Sequence, residues 1–128
     1  MIIYMCDAVA FLYYLLDRLP PSADKAFKEA EEGSALLYLP TIAAAELYYL
    51  FERKGWMKQW SRLEREMRRH TAFNYYSFSE EVLNLFGETK AVEIHDKIIT
   101  LTAQVLKAEA LITKDEKLRE LDEVKTLW

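Results

Sequence analysis

Short, unbroken apolar runs alternate along this chain with longer segments of helical period. Residues 1–6 (Met-Ile-Ile-Tyr-Met-Cys) are apolar throughout; such a run without polar alternation reads as a strand buried on both faces. Residues 8–16 read as a helix that Pro20-Pro21 stops. Ser22 is placed to cap a second helix with the period Ala23, Phe27, Ala30, ending at Gly33. Residues 35–39 form a second strand, closed by Pro40, and Thr41 can cap a helix that runs to Lys54 and stops at Gly55. Residues 56–69 form a further helix whose faces separate: Trp56, Trp60, Leu63 and Met67 on one side, Lys58, Arg62, Arg65 and Arg69 on the other. Residues 72–76 are strand-like, and Ser79 begins a short helix carrying Val82 and Leu83. Asp96 is expected to cap a helix containing Ile98, Ile99, Thr102, Val105 and Leu106. A strand at 110–113, a helical turn or two at 116–121 and a last strand at 124–128 complete the chain. Five short strands alternating with helices predict an α/β fold with a mostly parallel sheet covered on both faces.

With 128 residues, the chain suits one domain with a substantial core. An apolar content of 52% excludes global disorder. The single cysteine, Cys6, excludes an internal disulfide framework and suits a reducing cytosol. Residues 8–16, the longest apolar run, fall far short of a membrane span, and a signal peptide is disfavoured because Asp7 splits the apolar stretch. A cytoplasmic protein is therefore expected. The net charge of −4 hides an asymmetry: residues 53–70 carry seven basic side chains against two acidic ones.

In parallel α/β sheets, ligands bind beyond the carboxyl ends of the strands. Asp7 directly follows the first strand, and Asp115 lies just past the fourth. Asp96 opens the helix leading into that fourth strand, and Glu46 lies in the second turn of the helix after strand two. The topology can turn all four toward one sheet edge. For the three aspartates the plain alternative is helix capping. Glu46 is too deep in its helix to cap, its neighbours are apolar, and no lysine or arginine lies one turn away. It is therefore either paired with a cation or sits at a solvated rim. Converging carboxylates raise one another's pKa values, and a divalent cation resolves the conflict. All-oxygen ligation favours Mg²⁺ or Mn²⁺ over zinc, since His70 and His95 lack metal-site spacing. Waters retained by such an ion can attack a phosphodiester. No glycine-rich phosphate loop exists, Cys6 is expected in a buried strand, and a receiver-like phosphoacceptor lacks its adjacent acids and late lysine.

The first apolar strand followed by Asp7, Thr41-x-x-x-x-Glu46-Leu47, Glu93-Ile94-His95-Asp96-x-Ile98-Ile99 and Leu111-Ile112-Thr113-x-Asp115 together resemble the PIN-domain family, most closely the VapC-type toxin ribonucleases of prokaryotic toxin–antitoxin pairs. The resemblance spans nearly the whole chain. It implies a three-layer α/β/α sandwich and a metal-dependent endoribonuclease. Asp7, Glu46, Asp96 and Asp115 match the family's acidic quartet, and Thr113 matches a hydroxyl residue beside the last acid. One departure is Ala8-Val9, where the family commonly has a hydroxyl or Asn directly after the first Asp. A binding module that keeps the fold without efficient cleavage is the alternative.

Two surface expectations follow. Lys58, Arg62, Arg65 and Arg69 are either a solvated face or a track for RNA phosphates. Residues 8–16 and much of 42–51 are apolar all round, more than one packing face requires. Tyr13, Tyr14, Tyr48, Tyr49 and Phe51 are therefore expected to stay outside, building a homodimer and a groove for a small antitoxin's apolar segment.

Overall fold

The computed structural model describes residues 1–128. In chain order the elements are β1 (Ile2–Cys6), α1 (Ala8–Leu15), α2 (Pro21–Glu31), β2 (Ala35–Pro40), α3 (Thr41–Lys54), α4 (Met57–Arg69) and β3 (Phe73–Tyr76). There follow α5 (Glu80–Asn84), a single 3-10 turn at Phe86–Glu88, α6 (Ile94–Val105), β4 (Ala110–Ile112), α7 (Glu116–Leu121) and β5 (Thr126–Leu127). The five strands pair in parallel in the order β3-β2-β1-β4-β5. In register, Tyr4 of β1 faces Leu37 of β2 on one side and Ala110 of β4 on the other.

This order fixes where a site can form. Parallel crossovers are right-handed. The path β1-β2-β3 steps one way across the sheet and so lays α1 to α4 on one face. The return to β4 and on to β5 steps the other way and lays α5 to α7 on the opposite face. The result is the expected three-layer α/β/α sandwich, with every pair parallel. Strand order reverses between β1 and β4, and at such a switch point the flanking connections part and open a crevice. The amide of Asp7 donates to the carbonyl of Ile112 at 3.3 Å, carrying the β1–β4 ladder up to the first acid.

Met5, Cys6, Leu37, Leu39, Leu111 and Ile112 are fully or almost fully buried, as strands covered on both faces require. Phe11, Phe27 and Phe73 pack edge to face under α1 and α2, with Tyr14 stacked on Phe27 at 4.6 Å. Gly55 ends α3 at φ +71°, a left-handed conformation in which glycine carries no Cβ penalty.

Three helix starts differ from the sequence reading. Pro21 is the first residue of α2, where its missing N–H costs nothing, so Ser22 does not cap. Thr41 is the first residue of α3 and its hydroxyl donates to the Tyr76 carbonyl at 3.5 Å, joining the helix to β3 instead of capping it. Helix α6 starts three residues earlier than expected, because extended Glu93 accepts the first helical bond from the Lys97 amide. Asp96 therefore sits inside the first turn and is not the cap.

The aromatic expectation is also corrected. Phe51 is completely buried, because α3 packs against both α1 and α4 and leaves no free side at that turn. Tyr14 is half-buried, its ring on Phe27 and its hydroxyl donating to Glu31. Tyr13 is half-buried beside Trp128. Tyr48 and Tyr49 do face outward, 40% and 61% exposed. No helix is long and apolar enough to cross a membrane.

Candidate metal centre

Asp7 leaves β1 in extended conformation and caps α1, its Oδ1 accepting from the Ala10 amide at 2.9 Å. Its other oxygen accepts from the hydroxyl of Thr113, the fully buried residue after β4. Thr113 Oγ1 in turn accepts from the Asp115 amide at 3.0 Å. One hydroxyl thus ties together the ends of the two strands that flank the switch point. Asp115 caps α7 by accepting from the Lys117 amide at 2.8 Å through Oδ1. Asp7 and Asp115 therefore each cap a helix, the plain alternative the sequence allowed, and they lie close enough for the charge of Asp115 to act on Asp7.

Glu46 and Asp96 reach the same place from α3 and α6. The Glu46 side chain is 40% exposed at the rim, so its apolar sequence neighbours do not enclose it. It meets His95 Nδ1 at 3.4 Å. Sequence reasoning missed this partner because nothing local pairs positions on α3 and α6; the one clue was that His95 directly precedes Asp96. Asp96 also walls a surface concavity with Lys90, Glu93, Lys117 and Glu120, in which Lys117 pairs with Glu93 at 3.0 Å.

The electrostatics bind the four acids into one group. Burial pushes the Asp7 carboxyl up to about 6; its bonds from Thr113 and Ala10 oppose this, and the charges of Asp115 and Glu46 add to it. Burial raises Glu46, His95 opposes and Asp96 adds. Burial raises Asp96, Asp115 and Glu93 add, and Lys117 and His95 oppose. The repulsions close a ring: Asp7 with Asp115 and Glu46, Asp96 with the same two. No lysine or arginine lies within 4.0 Å of any of the four, and His95 is the sole ion-pairing partner.

Four carboxylate donors, three of them with raised pKa values, fit a hard divalent cation better than zinc. Their oxygens do not close to a dry cage: the one group of three metal-ligating atoms within 4.8 Å is Glu31, Glu66 and His70, elsewhere in the fold. A ring wider than a cage suits Mg²⁺, which usually keeps several waters.

The remaining expected residues lie apart from the acids. Lys58, Arg65 and Arg69 are exposed on α4, and Arg62 is half-buried with its guanidinium donating to Gln59 at 3.1 Å. Leu63 and Met67 are buried on the opposite side with Trp60 half-buried, but Trp56 precedes the helix and is exposed, so the expected apolar face lacks its first member. Thr41, Ala44, Ala45, Tyr48, Trp60 and Tyr75 line an apolar groove beside Glu46.

The profile of the PIN domain matches residues 4–124. No curated protein matches the chain. Among solved structures, VapBC2 from Rickettsia felis bound to a DNA fragment from its promoter is similar over 98% of this chain and 97% of that one, at 19% identity and TM-score 0.77. VapBC-1 from nontypeable Haemophilus influenzae is similar over 98% and 96%, at 21% identity and TM-score 0.65. PAE2754 from Pyrobaculum aerophilum is similar over 98% and 90%, at 16% identity and TM-score 0.64.

Proposed function

This chain belongs to the PIN-domain family, and from that premise we propose that it is a metal-dependent endoribonuclease, the toxin of a cytoplasmic toxin–antitoxin pair. The observation that carries the proposal is the closed ring of repulsion among Asp7, Glu46, Asp96 and Asp115 at the β1–β4 switch point, which has no lysine or arginine within 4.0 Å and is opposed only in part, by His95 and the more distant Lys117. These four residues are the ligands for Mg²⁺ or Mn²⁺. When bound, the cation supplies Lewis-acid polarisation of a phosphoryl oxygen and a more acidic water. Thr113 fixes the Asp7 carboxylate, and with it the spacing of the two strand ends. His95 holds Glu46 at the rim. The Glu46 side chain is 40% exposed, and the scissile phosphodiester enters from its side. Lys58, Arg62, Arg65 and Arg69 supply a positive face for the rest of the RNA, which an acidic protein otherwise lacks.

The structural neighbours named as VapBC complexes support an antitoxin partner for this chain. Its apolar segment docks in the groove of Tyr48, Trp60 and Tyr75, and the outward Tyr48 and Tyr49 contribute to a homodimer. One observation favours a second reading, a binding module without efficient cleavage: Ala8 and Val9 place no hydroxyl after Asp7. Protein stripped with EDTA distinguishes the two. The nuclease regains RNA cleavage on addition of Mn²⁺ and loses it in Asp96→Asn with unchanged circular dichroism. EDTA-resistant cleavage that survives Asp96→Asn would defeat the proposal.

A further inference from the structure

We infer that Glu31, Glu66 and His70 form a second metal site, for Zn²⁺, that ties α2 to the end of α4. Zinc bonds of about 2.0–2.1 Å in tetrahedral array place neighbouring ligand atoms about 3.3–3.4 Å apart. His70 Nε2 lies 3.0 Å from Glu66 Oε2 and 3.7 Å from Glu31 Oε2, on either side of that spacing. All three ligand atoms lie within 4.8 Å of one another. Neither carboxylate has a lysine or arginine within 4.0 Å, so two negative charges face a single imidazole.

The donors are also held in place, as a metal site requires. The His70 ring lies against Phe73 at 4.8 Å, and Tyr14 stacks on Phe27 at 4.6 Å. From there the Tyr14 hydroxyl donates to Glu31 Oε2 at 2.6 Å and lies 3.4 Å from Glu66 Oε2, holding the same two oxygens that face His70. His70 and Glu66 are 14% and 17% exposed against 32% for Glu31, so the ion is shielded on the α4 side and reached past Glu31. A small concavity bounded by Tyr14, Asp17, Leu19, Asp24, Lys28 and Glu31 opens there, with Lys28 paired to Asp24 at 2.9 Å. One nitrogen and two oxygen donors with a fourth position for water match zinc chemistry, whereas the all-oxygen ring at the switch point does not. The inference does not depend on the nuclease reading.

Zinc stoichiometry by equilibrium dialysis of EDTA-stripped protein tests it, with Co²⁺ as an optical probe of tetrahedral coordination. Wild type and Asp96→Asn should each bind one Zn²⁺ and gain thermal stability from it. His70→Gln and Glu31→Gln should weaken binding at least about tenfold. Glu31 lies on the outer face of α2, so Glu31→Gln decides the matter even if His70→Gln fails to fold. Absence of zinc binding at micromolar concentration, wild-type affinity in Glu31→Gln, or loss of binding in Asp96→Asn would each overturn the site.

Discussion

Replacing Asp7 by asparagine should make the metal-free protein more stable at neutral pH while removing its activity. Burial raises the Asp7 carboxyl from 3.8 to about 6. The native state therefore holds this proton over a pH range in which the unfolded chain has released it. Stability from this residue is fully present below about pH 4 and is lost as pH rises through 6. At about 1.4 kcal/mol per pKa unit, the ionised carboxylate costs the fold about 3 kcal/mol at pH 8. Asparagine caps a helix about as well as aspartate, so the bond from Ala10 survives. Its amide must turn the Thr113 bond round, donating to Oγ1 instead of accepting from it, which removes part of the gain. Urea denaturation in EDTA at pH 4 and pH 8 measures the effect as a difference between two proteins, in which the other titrating groups largely cancel. Asp7→Asn should gain about 2–3 kcal/mol over wild type between those pH values. Parallel stability curves for the two proteins would refute the electrostatic description of the crevice.

Two further perturbations address the surfaces. Reversing Arg62 and Arg65 to glutamate should weaken RNA binding and flatten its dependence on salt, since fewer counterions are released; a wild-type salt slope would return the α4 face to a solvated role. Tyr48→Glu with Tyr49→Glu, both outward, should leave the fold intact yet yield a 15.1 kDa species by light scattering in place of a dimer; a wild type that is already monomeric would remove the homodimer.

The centre of the sheet was legible because β1, β2 and β4 are largely covered on both faces and therefore appear as unbroken apolar runs, as Met5-Cys6 and Leu111-Ile112 do. The capping roles of Asp7, Ser79 and Asp115 were legible because each cap bonds an amide two or three residues on. Other features depend on partners distant in sequence. The hydroxyl of Thr41 is taken by Tyr76, and Glu46 finds its partner in His95. Helix α3 has no polar face to orient it, so contacts with α1 and α4 alone determine that Phe51 goes inward and Tyr49 outward. Likewise Glu66 and His70 share a local spacing of one helical turn, but Glu31 joins them only because α2 and α4 meet in the folded layer.

The central claim is that the four acids at the switch point hold one or more divalent cations. Anomalous diffraction from a crystal soaked in Mn²⁺ tests it most directly. The account predicts a peak bounded by Asp7, Asp96 and Asp115 with Glu46 facing it, and, if two ions bind, a separation of about 3.5–4 Å. Density confined to Glu31, Glu66 and His70, with none at the ends of β1 and β4, would contradict it.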